Sequence, residues 1–366
     1  MGAYILRRLA LIIPTLFGIM LLSFTIVQFA PGGPVEQMIA ELTNRDGGTD
    51  ERLSGGGSDL AMQDDPGSSD ASAKYRGAQG LDPELIAKLE KQFGFDKPAW
   101  QRFGEMMWNY ARFDFGDSFF RDESVINLIK EKMPVSISLG LWIMILSYAI
   151  SIPLGIRKAV SDGSGFDVWT SGIIIIGYAV PGFLFGILLI VLFAGGSFYD
   201  WFPLRGLTSD NFVAMTWPEK IVDYLWHITL PVVTLLVSSF ATTTLLTKNS
   251  FIDEIRKQYV VTARAKGLSE NRVLYGHVFR NAMLIVIAGL PSAFISAFFS
   301  GSLLIEYIYS LDGLGRMGYE AIVKRDYPIV FATLYIFSLM GLVTGLFSDL
   351  IYTWIDPRID FEKREV

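Results

Sequence analysis

Long apolar stretches alternate with polar segments along the chain, and this pattern predicts an all-α integral membrane protein with six transmembrane helices. A spanning helix needs about 20 mostly apolar residues, because the hydrocarbon core is about 30 Å thick and each helical residue rises about 1.5 Å. Six stretches reach that length: residues 9–30, 135–156, 168–195, 228–247, 282–305 and 329–355. Within them, three prolines mark predicted bends: Pro181, Pro231 and Pro291.

The polar segments between these stretches set the predicted domain organisation. Residues 1–30 form an N-terminal membrane helix, 31–134 an outside segment, 135–355 a five-helix core and 356–366 a tail. Within the outside segment, residues 43–80 are poor in apolar side chains and rich in Gly, Ser and Asp. Such a composition cannot bury enough surface to offset the entropy of ordering, so we predict a flexible loop there.

The rest of the outside segment has the pattern of two amphipathic helices. Asp82 is a helix-capping residue type and Pro83 fits a first helical turn, while Gly94 fits the end of the same helix. From Trp100 to Phe113, aromatic and aliphatic residues recur at helical spacing. We predict a small helical cap over the outer mouth, inserted after the first membrane helix.

The distribution of charge predicts the orientation, because membrane proteins carry an excess of Lys and Arg in their cytoplasmic segments. With the N-terminus inside, the cytoplasmic segments hold 14 basic residues in 64, against 17 in 159 outside. The inside face then carries about +5 and the outside about −10. We therefore expect a multi-pass protein with both termini in the cytoplasm.

Composition excludes several kinds of chemistry. At 51% hydrophobic residues and mean hydropathy +0.39, the chain is too apolar for a water-soluble protein of this length. It has no Cys and two His, which removes thiolate sites and leaves too few ligands for a zinc or di-iron cage. The net charge of −6 argues against nucleic acid as a partner.

The predicted cytoplasmic segment 248–281 is strongly basic, with seven basic and three acidic residues. Acidic residues near its start and basic residues up to Lys266 complement a helix macrodipole, and Gly267 can adopt the left-handed conformation that ends a helix. Ser269 can then cap a second helix running toward Asn281. The segment is either a short helix-turn-helix on the cytoplasmic side or a charged loop that solvates two span ends.

The same segment carries a family resemblance. Residues 259–269 read YVVTARAKGLS and resemble the coupling segment of permease subunits in dipeptide and oligopeptide ABC importers. Of that family's general "EAA" pattern, Ala263 and Gly267 are present, while Val261 stands at the acidic position. Other shared motifs follow in the family's order: GFDKP from Gly94, DFGDS from Asp114, IPLG from Ile152, GLG from Gly313 and DPRI from Asp356. The long outside loop and the C-terminal ending resemble most closely the permeases of microcin C import.

The resemblance implies a type I ABC importer permease fold in the bacterial inner membrane, surrounded by lipid. It implies three protein partners: a second homologous permease, a cytoplasmic ABC ATPase with two nucleotide-binding domains, and a periplasmic peptide-binding protein. The implied function is import of peptides or modified peptides by a subunit that is not itself an enzyme. ATP and Mg²⁺ would bind the ATPase, and no G-x-x-x-x-G-K-[ST] loop occurs in this sequence. The match implies these ATPase-coupling residues: Ala263, Arg264, Ala265, Lys266, Gly267, Leu268 and Ser269.

Polar residues inside the predicted spans are candidates for the translocation path: Ser238, Thr242, Ser292, Ser296, Ser300 and Asp349. Small hydroxyl residues could equally mediate helix packing in lipid. An ionisable residue such as Asp349 is costly in hydrocarbon and is by default a functional candidate. Because it lies about two turns from the inner end, a structural pair with a basic residue is an equal alternative.

Gly313, Gly315 and Gly318 satisfy the dinucleotide-binding spacing G-x-G-x-x-G. No strand precedes them and they lie outside, between two predicted spans, so we interpret them as flexible backbone at an outer gate.

An ion-driven secondary transporter is the alternative function. Such a protein is expected to show inverted internal repeats and charged residues near the membrane midplane, and neither is evident in the sequence. A membrane enzyme would need a metal or nucleophile set that this composition does not offer.

Overall fold

The computed structural model describes residues 2–29, 33–36, 38–39, 83–92, 94–121, 123–196, 198–299 and 303–355, and it is dominated by α-helices there. The helices are α1 (Gly2–Phe29), α2 (Pro83–Gln92), α3 (Ala99–Tyr110), α4 (Val125–Val160), α5 (Gly165–Ala179), α6 (Gly182–Phe193), α7 (Trp217–Ile255), α8 (Gln258–Ala265), α9 (Glu270–Val273), α10 (Phe279–Phe299), α11 (Leu303–Ile308), α12 (Leu314–Lys324) and α13 (Tyr327–Ile355). A 3₁₀ turn covers Phe212–Ala214, and a π-helical turn covers Leu274–Val278. The all-α prediction is confirmed for these ranges.

Five described helices contain a segment long and apolar enough to cross a membrane, and a bent pair supplies a sixth candidate. The five segments are Tyr4–Phe29, Val125–Val160, Trp217–Val237, Glu270–Phe294 and Tyr327–Ile351. They overlap five of the six predicted spans. Several of the helices continue well past the apolar stretch that predicted them.

The third predicted span is two helices rather than one. The axes of α5 and α6 differ by 94°. Val180 and Pro181 between them have extended backbone, with ψ of 121° and 127°, and Pro181 has no N–H to continue the hydrogen bonds of α5. The predicted bend at Pro181 is confirmed as a break, whereas Pro231 and Pro291 lie inside the continuous helices α7 and α10.

The chain divides into two compact units. The first comprises Met1–Ala10, Lys130–Met317 and Leu339–Val366, and the second comprises Leu11–Ile129 and Gly318–Ser338. In the first unit, α7 packs against α5, α6, α10 and α11. The long helix α7 is therefore the element around which the predicted membrane core is assembled.

Close packing in the first unit depends on Gly155 of α4. A Cβ atom added there would lie 2.7 Å from the Cβ of Thr247 and 2.9 Å from the backbone oxygen of Thr244 on α7. Both distances are too short for real atoms, so only glycine permits this approach. The glycine of the Ile-Pro-Leu-Gly motif is thus explained by helix packing.

The second unit contains the two helices predicted as a cap. Helix α2 begins at Pro83, and the chain then turns at Gly94, which has φ +73° as predicted for a helix-ending glycine. Ile86 is buried in a small apolar core with Val35 and Ile39. Helix α3 confirms the second amphipathic stretch, while the position of these helices over the outer mouth stays a prediction.

The Asp-Phe-Gly-Asp-Ser motif is anchored in the second unit. The carboxylate of Asp326, just before α13, accepts hydrogen bonds from Ser118 Oγ at 2.5 Å and from the Phe119 N–H at 3.1 Å. The motif therefore fixes the chain between α3 and α4 to the start of α13. The flexible loop predicted for 43–80, the capping role of Asp82 and the tail 356–366 lie outside the described residues.

Candidate coupling segment and translocation path

The predicted helix-turn-helix is present, with different boundaries. Helix α7 continues through the predicted end of the fourth span to Ile255, so Asp253 and Glu254 lie in its last turn. The next helix, α8, begins only at Gln258 and has no acidic residue in its first turn. The expected macrodipole complementarity at the start of this helix is therefore wrong, because the acidic residues belong to the preceding helix.

Gly267 ends α8 in the left-handed conformation, as predicted, with φ +80°. Its N–H donates to the carbonyl of Arg264 at 2.9 Å, and the N–H of Leu268 donates to the carbonyl of Ala263 at 3.4 Å. These two bonds are those of a Schellman motif, which satisfies the last carbonyls of a helix. Ser269 occupies the N-cap position of α9, as predicted, but its side chain makes no capping hydrogen bond.

A buried apolar cluster holds the helix-turn-helix against the ends of the long helices. It includes Ile156 and Ala159 of α4, Phe251 of α7, and Val260 and Ala263 of α8. The side chains of Phe251 and Val260 are fully buried. Because close-packed interiors transmit displacement, a force on the tip of the segment would move α4 and α7 with it.

The tip of the segment is polar and exposed. Arg264 and Glu270 form a bidentate pair across the Gly267 turn, with Nε–Oε1 at 2.8 Å and Nη2–Oε2 at 3.0 Å. Ala265 and Lys266 are exposed beside it. A partner could therefore reach both charged side chains and the backbone of the turn.

The second helix of the segment has no break before the fifth span. Helix α9, the π-helical turn and α10 form one helical run over residues 270–299. Movement of the tip would thus reach this membrane helix directly. The π-helical turn Leu274–Val278 is of a kind often found at functional sites.

An ion cluster joins the same ends of α4, α5 and α7. Lys158 is fully buried, and its Nζ donates to the backbone oxygen of Asp167 and to the hydroxyls of Thr170 and Ser171 at 2.7–2.8 Å. The Asp167 carboxylate also accepts from Lys248 Nζ at 2.7 Å. Burial lowers the pKa of Lys248, but its bonds to carboxylates outweigh burial and hold the pKa above its ordinary value.

The hydroxyl residues of the fourth and fifth predicted spans have different surroundings. Thr244 and Thr247 are fully buried and donate to carbonyls one turn back at 2.8 Å, so they serve helix packing. Thr242 on α7 and Ser292 on α10 are exposed, and their place on the path stays a prediction. The side chains of the other hydroxyl candidates lie outside the described residues: Ser238, Ser296 and Ser300.

Asp349 has partners on the first helix. Its Oδ2 accepts a hydrogen bond from Tyr4 OH at 2.7 Å and lies 3.0 Å from Arg8 Nη2. Pairing with a basic residue, one of the two alternatives expected from the sequence, is therefore present. A role for Asp349 in translocation stays a prediction.

Two of the predicted outer-gate glycines have different surroundings. A Cβ atom added to Gly313 would lie 2.5 Å from Glu306 Oε2 and 2.7 Å from Ser136 Oγ, whereas one added to Gly318 would meet no atom within 4 Å. The interpretation as flexible backbone does not fit Gly313, since this position is glycine to allow close approach. The role of Gly313, Gly315 and Gly318 as a gate stays a prediction.

Glu306 holds the start of α12 against α4. Its side chain is fully buried, and its carboxylate accepts from Ser136 Oγ at 2.8 Å and from the Arg316 N–H at 2.9 Å. Ser136 Oγ in turn accepts from the Leu314 N–H at 2.8 Å, and the Gly315 N–H also bonds to Glu306. The first N–H groups of α12, which have no partner within the helix, are thus satisfied by the Ser136 hydroxyl and the Glu306 carboxylate.

A family model described as the binding-protein-dependent transport system inner membrane component matches residues 151–361, more than half of the chain. The chain belongs to this family of transport permeases. The match includes the coupling segment, the ion cluster and Glu306 with the start of α12, while Ser136 of the Glu306 site lies before it.

This permease is similar along its whole length to several others. It is 76% identical to the peptidoglycan transport system permease protein YejB of Agrobacterium fabrum and 59% identical to the inner membrane ABC transporter permease protein YejB of Escherichia coli O157:H7, each over 100% of both chains. It is 31% identical to the dipeptide transport system permease protein DppB of Escherichia coli K12, over 98% of this chain and 99% of that one. A chain of the inward-facing MetNI methionine ABC transporter has a TM-score of 0.46 and 14% identity, covering 63% of this permease and 97% of that chain. The two YejB proteins and DppB are transport permease subunits rather than enzymes.

Sequence reasoning missed the ion cluster and the Glu306 site of this permease. Lys158 on α4 and Lys248 on α7 are 90 residues apart in the sequence, and no local pattern relates them. One signal was available, because Lys158 and Asp167 flank a short polar link between two predicted spans. Glu306 stood just outside the fifth predicted span and carried no such signal.

Proposed function

We propose that this permease imports peptides or modified peptides, microcin C among them, from the periplasm into the cytoplasm. The observation that carries the proposal is the 76% identity over the full chain to a permease named for peptidoglycan transport. The 31% identity to a dipeptide permease over nearly the full length supports the same class of cargo. A peptide backbone is the chemical feature that these cargoes share.

We also propose the partners. A second, homologous permease would complete the pathway, and a periplasmic peptide-binding protein would deliver cargo to it. Two ATPase domains would bind ATP and Mg²⁺, since the sequence contains no phosphate-binding loop of its own. The exposed Arg264–Glu270 tip, packed through Ala263 onto the long helices, is the surface we assign to ATPase docking.

Uptake by the reconstituted transporter tests this function. Proteoliposomes would contain this permease, the second permease and the ATPase. The binding protein and a labelled peptide would be added on the side of the membrane opposite the ATPase. We expect uptake that requires ATP and the binding protein and that continues when ionophores remove all ion gradients. Uptake driven by an ion gradient without ATP would overturn the importer function in favour of a secondary transporter.

The proposed orientation places both termini and the helix-turn-helix in the cytoplasm. Because the chain has no native Cys, single-cysteine variants report topology cleanly. Lys257 is 54% exposed before α8, and Val213 is 87% exposed between α6 and α7. We expect a membrane-impermeant thiol reagent to label Val213→Cys in intact spheroplasts and Lys257→Cys only in inverted vesicles. The cysteine-free chain is the control, and the reverse pattern would refute the orientation.

A further inference from the structure

A groove of about 480 Å³ lies between the end of α4 and the helical run that begins at α9. One wall is apolar and includes Pro153 and Ile156 of α4, with Leu274 opposite. Phe166, at the start of α5, contributes an aromatic ring. The groove therefore offers a surface suited to hydrocarbon along one side.

Polar donors converge on the same groove. The Arg157 guanidinium lies over the ring of Phe166, with Cζ 4.6 Å from the ring centroid. Arg157, Asn271 and Tyr275 line the groove and are exposed. None of these three side chains makes a hydrogen bond or ion pair with another described residue.

The residue after Arg157, Lys158, has very different surroundings. Lys158 is fully buried and is held by Asp167 and two hydroxyls. Arg157 has no carboxylate partner within the described part of the chain, and none of the residues lining the groove is acidic. The groove thus presents a cation and neutral donors without a compensating negative charge.

This donor set matches the chemistry of a phosphate group. Arginine presents N–H groups in a planar fork that fits two phosphate oxygens at once. A phenol hydroxyl and a side-chain amide can donate to the remaining oxygens. Because no acidic group lines the groove, a zwitterionic headgroup would find no partner for its ammonium.

The position of the groove along the membrane identifies the source of the phosphate. The second predicted span ends at Ile156, so Arg157 is the first residue beyond it, while Pro153 lies within the predicted span, about 6 Å back along α4. Trp169, two residues after the Phe166–Asp167 pair, is 76% exposed. Exposed tryptophan is typical of the interface between lipid and water. An apolar lining beside the predicted span fits an acyl chain, which a soluble phosphate lacks.

We propose that this groove binds an anionic phospholipid, with the headgroup phosphate held by Arg157, Asn271 and Tyr275 and an acyl chain along Pro153 and Leu274. The bound lipid would connect the end of α4 to the helical run of the coupling segment. This lipid site does not depend on the cargo, so the lipid proposal would stand even if the proposed peptide substrate were wrong.

Native mass spectrometry of the purified full-length permease, with the subunits that copurify, tests the site. The delipidated protein would be titrated with dioleoylphosphatidylglycerol and, separately, with dioleoylphosphatidylcholine. We expect preferential binding of the anionic lipid and a loss of about tenfold in its affinity for Arg157→Gln, which is the scale of one charge-assisted hydrogen bond. Arg272→Gln, an equal change of charge at an exposed residue that does not line the groove, should bind like the wild type.

Several outcomes would overturn the proposal. Equal binding of the two lipids by the wild type would mean that the groove does not recognise an anionic headgroup. An equal loss of affinity in both variants would mean that only the net charge of the protein matters. Competition by millimolar inorganic phosphate would assign the groove to a soluble anion. Loss of ATPase association in Arg157→Gln with unchanged lipid binding would make the groove a protein-docking surface.

Unchanged melting temperatures, together with an intermediate affinity for Arg157→Lys, would show that the effect comes from the guanidinium fork and not from unfolding.

Discussion

Replacing Gly267 with valine is expected to abolish peptide uptake while leaving the periplasmic binding protein able to dock. Gly267 holds φ +80°, and an added Cβ would meet no atom within 4 Å, so the cost is conformational. The left-handed region costs an ordinary residue about 1–2 kcal/mol, and a β-branched residue is less tolerant still. The turn would relax out of this region and lose the bonds that Gly267 and Leu268 donate to α8.

The measurement is ATP-driven uptake by the reconstituted transporter, together with the affinity for the binding protein. Gly267→Asn is the matched control, because asparagine enters the left-handed region more readily than other side chains. We expect Gly267→Asn to keep most of the uptake and Gly267→Val to lose it, with binding-protein affinity the same in both. Wild-type uptake by Gly267→Val would show that the turn does not couple ATP hydrolysis to transport.

Replacing Gly313 with alanine is expected to destabilise the whole permease. The new Cβ would lie 2.5 Å from Glu306 Oε2 and 2.7 Å from Ser136 Oγ, both of which are held by hydrogen bonds. Overpacking costs about 1–3 kcal/mol. If Glu306 moves away instead, the part-buried N–H of Arg316 loses its acceptor, which costs up to about another 1–3 kcal/mol.

The readout is the melting temperature and the yield of intact protein in detergent. Gly318→Ala is the matched control, since a Cβ there meets no atom within 4 Å and helix α12 favours alanine over glycine. We expect Gly318→Ala to melt at or above the wild-type temperature and Gly313→Ala to melt well below it. Equal melting temperatures for the two variants would mean that the Glu306 contact does not hold the start of α12.

Much of the fold could be predicted, because lipid imposes a strong length and composition rule on each span. The apolar runs at 135–156 and 329–355 required no knowledge of their neighbours, and both are helices in the structure. The prediction failed where a helix continues beyond lipid. Helix α7 extends to Ile255 because polar helices also satisfy their own backbone, so hydropathy alone does not reveal where they end.

The coupling segment was predicted in part, because its turn depends on local sequence. The Gly267 turn is a local backbone motif, and the sequence of its own helix was enough to place it. The start of α8 was misplaced, because Asp253 and Glu254 fit the end of one helix or the start of the next equally well by pattern.

The sequence by itself determined that this is a multi-span helical protein, and its motifs indicated a peptide-type importer with a cytoplasmic helix-turn-helix. These properties rest on local composition and short-range hydrogen bonding. Only the tertiary structure decided that Lys158 is held by Asp167, that Glu306 fastens the start of α12, and that Arg157 faces a groove without a counter-charge. Each of these depends on side chains from different helices, whose meeting is set by packing and leaves no periodic trace in the chain.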